Sequence, residues 1–308
     1  MAPRVSLMWF KNLRLYALIN PFELSEEELH ERLLNKAFRP CGSHDPSSLG
    51  WVSPLGRNSP KLAHEVEGCL MICARQEDKL LPASVVKEAL DEKVDSLETE
   101  EGRKIARRER TELRDEIVHQ LMPKAFSRSS RTFAMIDRLQ GWILVDASSS
   151  SKAESVISLL RETLESLPTR PFETAISPAA VLTEWMLQPG LHQDFVLKDS
   201  CELRDTTEEG GVIRCRGEDL STVEMQAHLK AGKQVVKLAV EWDERLACTI
   251  EEDISLKRIK FLDVIQEEAA DVQTEDEIAQ YDVAFSLMSL EFRRLIPRIL
   301  ELFGGMSD

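Results

Sequence analysis

Residues 82–131 read PASVVKEALDEKVDSLETEEGRKIARRERTELRDEIVHQLMPKAFSRSSR, and the fold turns on how this stretch is parsed. Val86, Leu90, Val94 and Leu97 recur at spacings of four, four and three, one apolar stripe on a helix that Ser84 is placed to cap. Gly102 offers a stop, and a second helix is expected from about Arg103 to Met122, ended by Pro123. Two such antiparallel helices of about 18 residues would make an arm about 27 Å long. Leu113, Ile117 and Leu121 would seal its base. Arg103, Arg107, Arg110 and Arg114 fall at helical spacing on one face near the tip, flanked by Lys104 and Arg108.

Positive charge here runs against the rest of the chain. The 308 residues carry 54 Asp+Glu against 39 Lys+Arg, a net charge of −15, so most of the surface should repel polyanions. From Arg103 to Arg114 there are six basic and two acidic residues, and Lys124, Arg128 and Arg131 follow at once. Two readings stay open from the residues alone. The basic face meets a nucleic acid, or its arginines pair with Asp95, Glu98, Glu100 and Glu101 on the partner helix or with an acidic protein partner. Phe126, between Lys124 and Arg128, either packs a hinge or touches a partner.

Composition excludes several classes. With 43% hydrophobic and 30% charged residues the chain reads as a globular protein, not a disordered one. No window offers about 18 uninterrupted apolar residues, so a membrane-spanning helix is not expected. Lys11 and Arg14 interrupt the apolar run near the N-terminus and no small-residue cleavage site follows, which argues against a signal peptide. Six cysteines lie singly in different elements, and the nearest pair, Cys69 and Cys73, would share a strand face about 13 Å apart. That is too far for a disulfide or a shared metal ion. Reduced thiols in a cytoplasmic protein are the expectation.

Outward from the arm, Met8–Ala17 reads as a first strand, and Ser25 with Glu28 forms a capping box at the start of a helix. Short strands are expected at Gly50–Pro54, Val66–Arg75, Thr132–Ile136 and Trp142–Ala147, with an amphipathic helix over Ser151–Leu167. Further strands are expected at Asp194–Arg204, Gly211–Cys215, Gln234–Trp242, Leu246–Glu251 and Leu256–Phe261. Short helices should lie near Leu182, Val223 and Val264, and a last helix over Leu290–Phe303. Consecutive strands without regular helical crossovers predict an α+β fold, largely antiparallel sheets with flanking helices and the projecting helical hairpin. The body would comprise residues 1–81 and 125–308, with 82–124 as an inserted finger.

Other chemistry is thin. The six histidines are scattered without metal-ligand spacing, Gly210-Gly211 reads as a turn, and Ser148–Ser151 lacks the surroundings of a nucleophile. Glu251, Glu252, Asp253 and Lys257 would suffice for a metal-dependent nuclease, since Mg²⁺ needs little more than carboxylates and a lysine. Trp9, Trp51, Trp142, Trp185 and Trp242 sit in apolar settings and read as core. No catalytic residue, metal or cofactor is assigned.

Long colinear strings also carry a resemblance. MWFKNL (8–13), ICARQEDKLLPASVVKEAL (72–90), RDEIVHQLMPKAFSR (114–128), GWILVDASSSSKAE (141–154), EEGGVIRC (208–215) and HLKAGKQVVKLAVEW (228–242) resemble RdgC, the bacterial recombination-associated family, from Met8 to Gly305. The resemblance implies a non-catalytic, nucleoid-associated protein that binds double-stranded DNA with little sequence preference, and single strands also, and restrains RecA-driven strand exchange. It implies a ring-shaped homodimer whose hole suits a duplex. The family's finger matches Pro82–Leu121, and the phenylalanine of its PRAF motif matches Phe126 in PKAF. Met1–Leu7 precede the usual start of the family. Where some relatives carry adjacent lysines and a glutamine tied to DNA contact, this chain reads Arg214, Cys215, Arg216, Gly217, Glu218, so no such role passes to Gly217 or Glu218.

Overall fold

A computed structural model describes residues 9–190, 192–207, 210–270 and 276–307; Met8 and the residues before it lie outside this range. The order of elements is β1 (Arg14–Leu18), α1 (Glu26–Leu34), β2 (Ser47–Val52), β3 (Ala63–Val66), β4 (Cys69–Leu80), α2 (Ala83–Glu101), α3 (Arg107–Leu121) and β5 (Phe126–Asp137). It continues with β6 (Trp142–Val145), α4 (Ser150–Leu164), β7 (Thr169–Pro171), α5 (Pro178–Leu187), β8 (Phe195–Arg204), β9 (Val212–Arg216) and α6 (Val223–Lys230). The chain closes with β10 (Gln234–Trp242), β11 (Leu246–Glu251), β12 (Leu256–Phe261), α7 (Asp263–Ala270) and α8 (Glu277–Leu302). The class is α+β, as the succession of strands predicted.

Two antiparallel sheets organise these elements. The larger runs β2-β4-β5-β6-β1-β7, with β3 also paired to β4; the smaller runs β12-β11-β10-β8-β9. A bridge between Leu13 and Leu256 links them, each backbone N–H donating to the other's carbonyl. Strand alternation decides which side chain enters which layer. On β4, Leu70, Ile72 and Ala74 face a core shared with Leu29 and Leu33 of α1 and Val156, Ile157 and Leu160 of α4. Cys69, Met71 and Cys73 face the opposite core, where α5, α8 and the smaller sheet converge. Four of the tryptophans are buried and Trp9 packs half-buried against the second core, as expected.

Several boundaries depart from the sequence expectation. The strand placed at Val66–Arg75 is two strands, because Glu67 and Gly68 both take positive φ, 49° and 77°, and turn the chain tightly between β3 and β4. The first strand begins only at Arg14. Residues 126–131, too polar to read as strand, continue β5 because each pairs with β4 through the backbone ladder. The last helix starts at Glu277 instead of Leu290 and carries Pro297 inside it. Asp137 anchors that helix to the sheet. Fully buried, it accepts hydrogen bonds from Arg293 Nε at 2.7 Å and Arg293 Nη2 at 3.0 Å, and from the backbone of Leu139 and Gln140.

Candidate nucleic-acid interface

The predicted basic region grows from the far end of the β4–β5 ribbon. Twelve consecutive pairs join the two strands without a register shift, from Cys69 opposite Asp137 to Leu80 opposite Phe126. The chain leaves β4 at Leu80, runs through α2 and α3 and a 3-10 turn at Met122–Lys124, and re-enters at Phe126. Val86, Leu90 and Val94 of α2 close on Ile117 of α3 in a cluster separate from both body cores, with Ile105, Leu113 and Leu121 packed against it. Burying each of the four core side chains, Val86, Leu90, Val94 and Ile117, contributes about 1.5–3 kcal/mol, which holds two otherwise polar helices together.

The helix ends differ from the sequence reading. Pro82, not Ser84, is the N-cap of α2, and Ser84 lies inside the helix. Gly102 ends α2 at φ 65°, a left-handed value that favours glycine. The second helix then starts at Arg107, so Arg103 and Lys104 belong to the connecting turn and not to the helical face of Arg107, Arg110 and Arg114. Glu98 draws that turn back, accepting from Lys104 Nζ at 2.6 Å and from the Ile105 backbone N–H at 3.0 Å. Those two bonds hold the Glu98 carboxyl below the usual carboxylate range.

Ion pairs divide the nine predicted basic contact residues into two groups. Arg103 is held by Glu109 at 2.8 Å through both terminal nitrogens, and by Glu101 at 2.6 Å. Arg108 reaches Glu112 at 3.1 Å and Arg110 pairs with Asp91 across the two helices. Among the described residues Arg107, Arg114, Lys124, Arg128 and Arg131 have no carboxylate partner, and all five side chains are exposed. Arg107 and Arg114 are seven residues apart on α3, so they lie on one face about 10 Å apart. Of the stripe that sequence spacing placed near the tip, Arg103 and Arg110 are neutralised, whereas Arg107 and Arg114 on α3 have no carboxylate partner among the described residues. The carboxylates that neutralise the turn include Glu98 and Glu101, as the alternative reading foresaw.

Phe126 stands at the junction with 85% of its surface exposed. The ring is thus largely uncovered by the described residues, beside Lys124 and Arg128. Sequence reasoning missed Arg75, which the register sets directly opposite Arg131. Only the pairing of β4 with β5 brings them together, and no local pattern announces it.

The residues weighed for a nuclease are engaged otherwise. Asp253 pairs with Arg14 and accepts from Ser255 Oγ at 2.6 Å, Glu252 accepts from Arg204 at 2.7 Å, and Glu251 faces Lys237 at 3.4 Å. Lys257 donates to the Ser148 carbonyl at 2.6 Å. Among the described residues no three His, Cys, Asp or Glu side chains converge as a metal site would require.

Comparison with known proteins covers nearly the whole chain. A family model described as "RdgC: Putative exonuclease, RdgC" matches residues 8–306. A protein of Tolumonas auensis named "Recombination-associated protein RdgC" is 43% identical over 298 residues, 97% of this chain and 99% of its own. Proteins of the same name from Aeromonas hydrophila and Yersinia pestis are 44% and 42% identical, covering 97% and 98% of this chain and 98% and 100% of theirs.

Proposed function

The chain belongs to the RdgC family, and from that footing we propose a non-catalytic DNA-binding protein, a ring-shaped homodimer that encircles duplex DNA without reading its sequence. Occupying the duplex, it restrains RecA-driven recombination on the nucleoid. Residues 82–124 are the inserted finger of a body made of 1–81 and 125–308. Arg103, Lys104, Arg107, Arg108, Arg110, Arg114, Lys124, Arg128 and Arg131 line the path of the phosphates, the five without carboxylate partners contributing most, and Phe126, exposed at the root of the finger, meets the DNA. Single strands carry the same phosphates and bind through the same residues.

The observation that carries this reading is a run of uncompensated cations on consecutive elements. In a chain of net −15, Arg107, Arg114, Lys124, Arg128 and Arg131, along α3, the 3-10 turn and β5, are exposed and have no carboxylate partner among the described residues. A hole with low-dielectric walls concentrates their potential where a duplex passes, while the outer surface stays acidic. Phosphate contacts position without specifying sequence, so no recognition helix is needed.

Reversing Arg107, Arg114 and Arg128 to Glu in the full chain is expected to weaken duplex binding about tenfold or more at low salt, alike for unrelated sequences. The slope of log affinity against log salt should flatten by about 0.9 for each phosphate that the variant no longer neutralises. Affinity unchanged from wild type would remove the arm from the mechanism.

The exonuclease in the family model's description favours a second reading, with Glu251, Glu252, Asp253 and Lys257 serving a divalent metal. Their present partners speak against it. Incubation of linear and supercoiled DNA with Mg²⁺ separates the two: the proposed ring leaves both intact, whereas nucleotide release abolished by Glu251→Gln would establish a nuclease. The paired cations at the turn favour a protein partner for the arm alone, a reading that wins if the purified protein ignores DNA at low salt.

A further inference from the structure

Beside the ribbon, the larger sheet carries a groove of about 570 Å³. Its charged lining consists of Arg57, Arg75 and Arg131, with no aspartate or glutamate among the lining residues. In a chain where acids outnumber bases this is an anomaly of placement.

Three strands contribute one row across the sheet. Gly50 of β2 lies opposite Arg75 of β4, which lies opposite Arg131 of β5. A Cβ on Gly50 would meet the Phe38 Cα at 2.5 Å, so only glycine lets Phe38 fold down over this end of the row. The Arg75 guanidinium stacks on the Phe38 ring, 4.4 Å from its centroid, and Nη2 donates to Ser129 Oγ at 3.0 Å. Stacking fixes the plane of the guanidinium and leaves its remaining donors unspent. Ser53 and Ser59 add hydroxyls to the wall, beside Arg57 from the loop that follows β2.

Like charges directly opposite on one sheet face destabilise the pair. Among the described residues neither Arg75 nor Arg131 has a carboxylate partner to offset that repulsion, and Glu77, next on the same face of β4, pairs with neither. A preorganised guanidinium, two further arginines and hydroxyl donors in one concavity are the chemistry that recognises an oxyanion. We propose that this groove is an oxyanion site, built on Arg57, Arg75 and Arg131, that takes a phosphate group. Its ligand in place is a backbone phosphate of DNA, a step that rests on the DNA-binding reading. The groove extends that surface from the arm onto the face of the sheet.

The test uses the full chain with Arg57→Gln, an exposed loop substitution, and Arg75→Gln, each titrated with a duplex oligonucleotide at several salt concentrations. Each variant should bind about threefold or more weaker at low salt, with the salt slope lowered by about 0.9. Wild-type affinity and slope in both variants would overturn the groove while leaving DNA binding standing. If the wild type itself binds no DNA, the DNA-binding reading has failed and inorganic phosphate decides the site. Thermal stabilisation of the wild type by phosphate, abolished in Arg57→Gln, supports a free-phosphate site; no stabilisation of the wild type overturns it.

Discussion

Phe126 shows what a single side chain conveys. Its neighbours in sequence left a hinge and a contact residue equally open, because one aromatic between basic residues has no periodicity to place it. With 85% of its surface exposed, the ring has little packing against the described residues. Phe126→Ala is therefore expected to change stability by no more than about 0.5 kcal/mol. Base–aromatic stacking is worth about 1–3 kcal/mol, so the same change should weaken DNA binding several-fold if the ring meets a base. Thermal denaturation beside a gel-shift titration reads both, and intact binding would free Phe126 from the interface. Arg75 marks the opposite case, a residue whose surroundings were not legible at all. Its meaning lies in Arg131 across the ladder and in Phe38 above Gly50, contacts that only the register and the backbone path create.

At the scale of elements, the stripe of Val86, Leu90 and Val94 was legible and packs as its spacing implied. The start of α3 was not, since Arg103 and Lys104 are good helix formers by propensity. Tertiary pairing overrides that preference: Glu98 captures Lys104 and the Ile105 N–H, and Ile105 folds into the small cluster instead of joining a helix. The outer half of β5 was equally opaque, because Ser127, Arg128, Ser129 and Ser130 owe their strand to main-chain bonds with β4 and not to apolar alternation. The helix pair has its own four-residue buried cluster, which gives it a local stability to lose. Leu90→Ala or Ile117→Ala should cost about 2–5 kcal/mol, felt first within that pair. Amide exchange is expected to quicken across residues 83–121 while β4 and α8 keep their protection. Acceleration throughout the chain would instead make the helices and the body one cooperative unit.

For the whole molecule, composition made a net charge of −15 plain, but not where the minority charge would be left unpaired. Sequence spacing put a basic face near the tip of the arm; carboxylates within six residues quench Arg103 and Lys104 in the connecting turn, whereas Arg107 and Arg114 on α3 and Arg128 and Arg131 on the ribbon have no carboxylate partner among the described residues. The proposed ring makes a claim that affinity alone cannot test. A closed clamp on circular DNA has no end to slide from, so protein retained after a high-salt wash should be greater on closed circular than on linear DNA of the same sequence. Equal loss from both would argue for surface binding without encirclement. The arm's attachment also has a mechanical side. Twelve unbroken pairs make β4 and β5 a stiff torsion bar with no bulge to absorb rotation, clamped at one end where Arg293 grips Asp137 and loaded at the other by α2 and α3. Torque applied to the helices is carried along the bar to α8, so a load on the arm registers at the opposite end of the sheet.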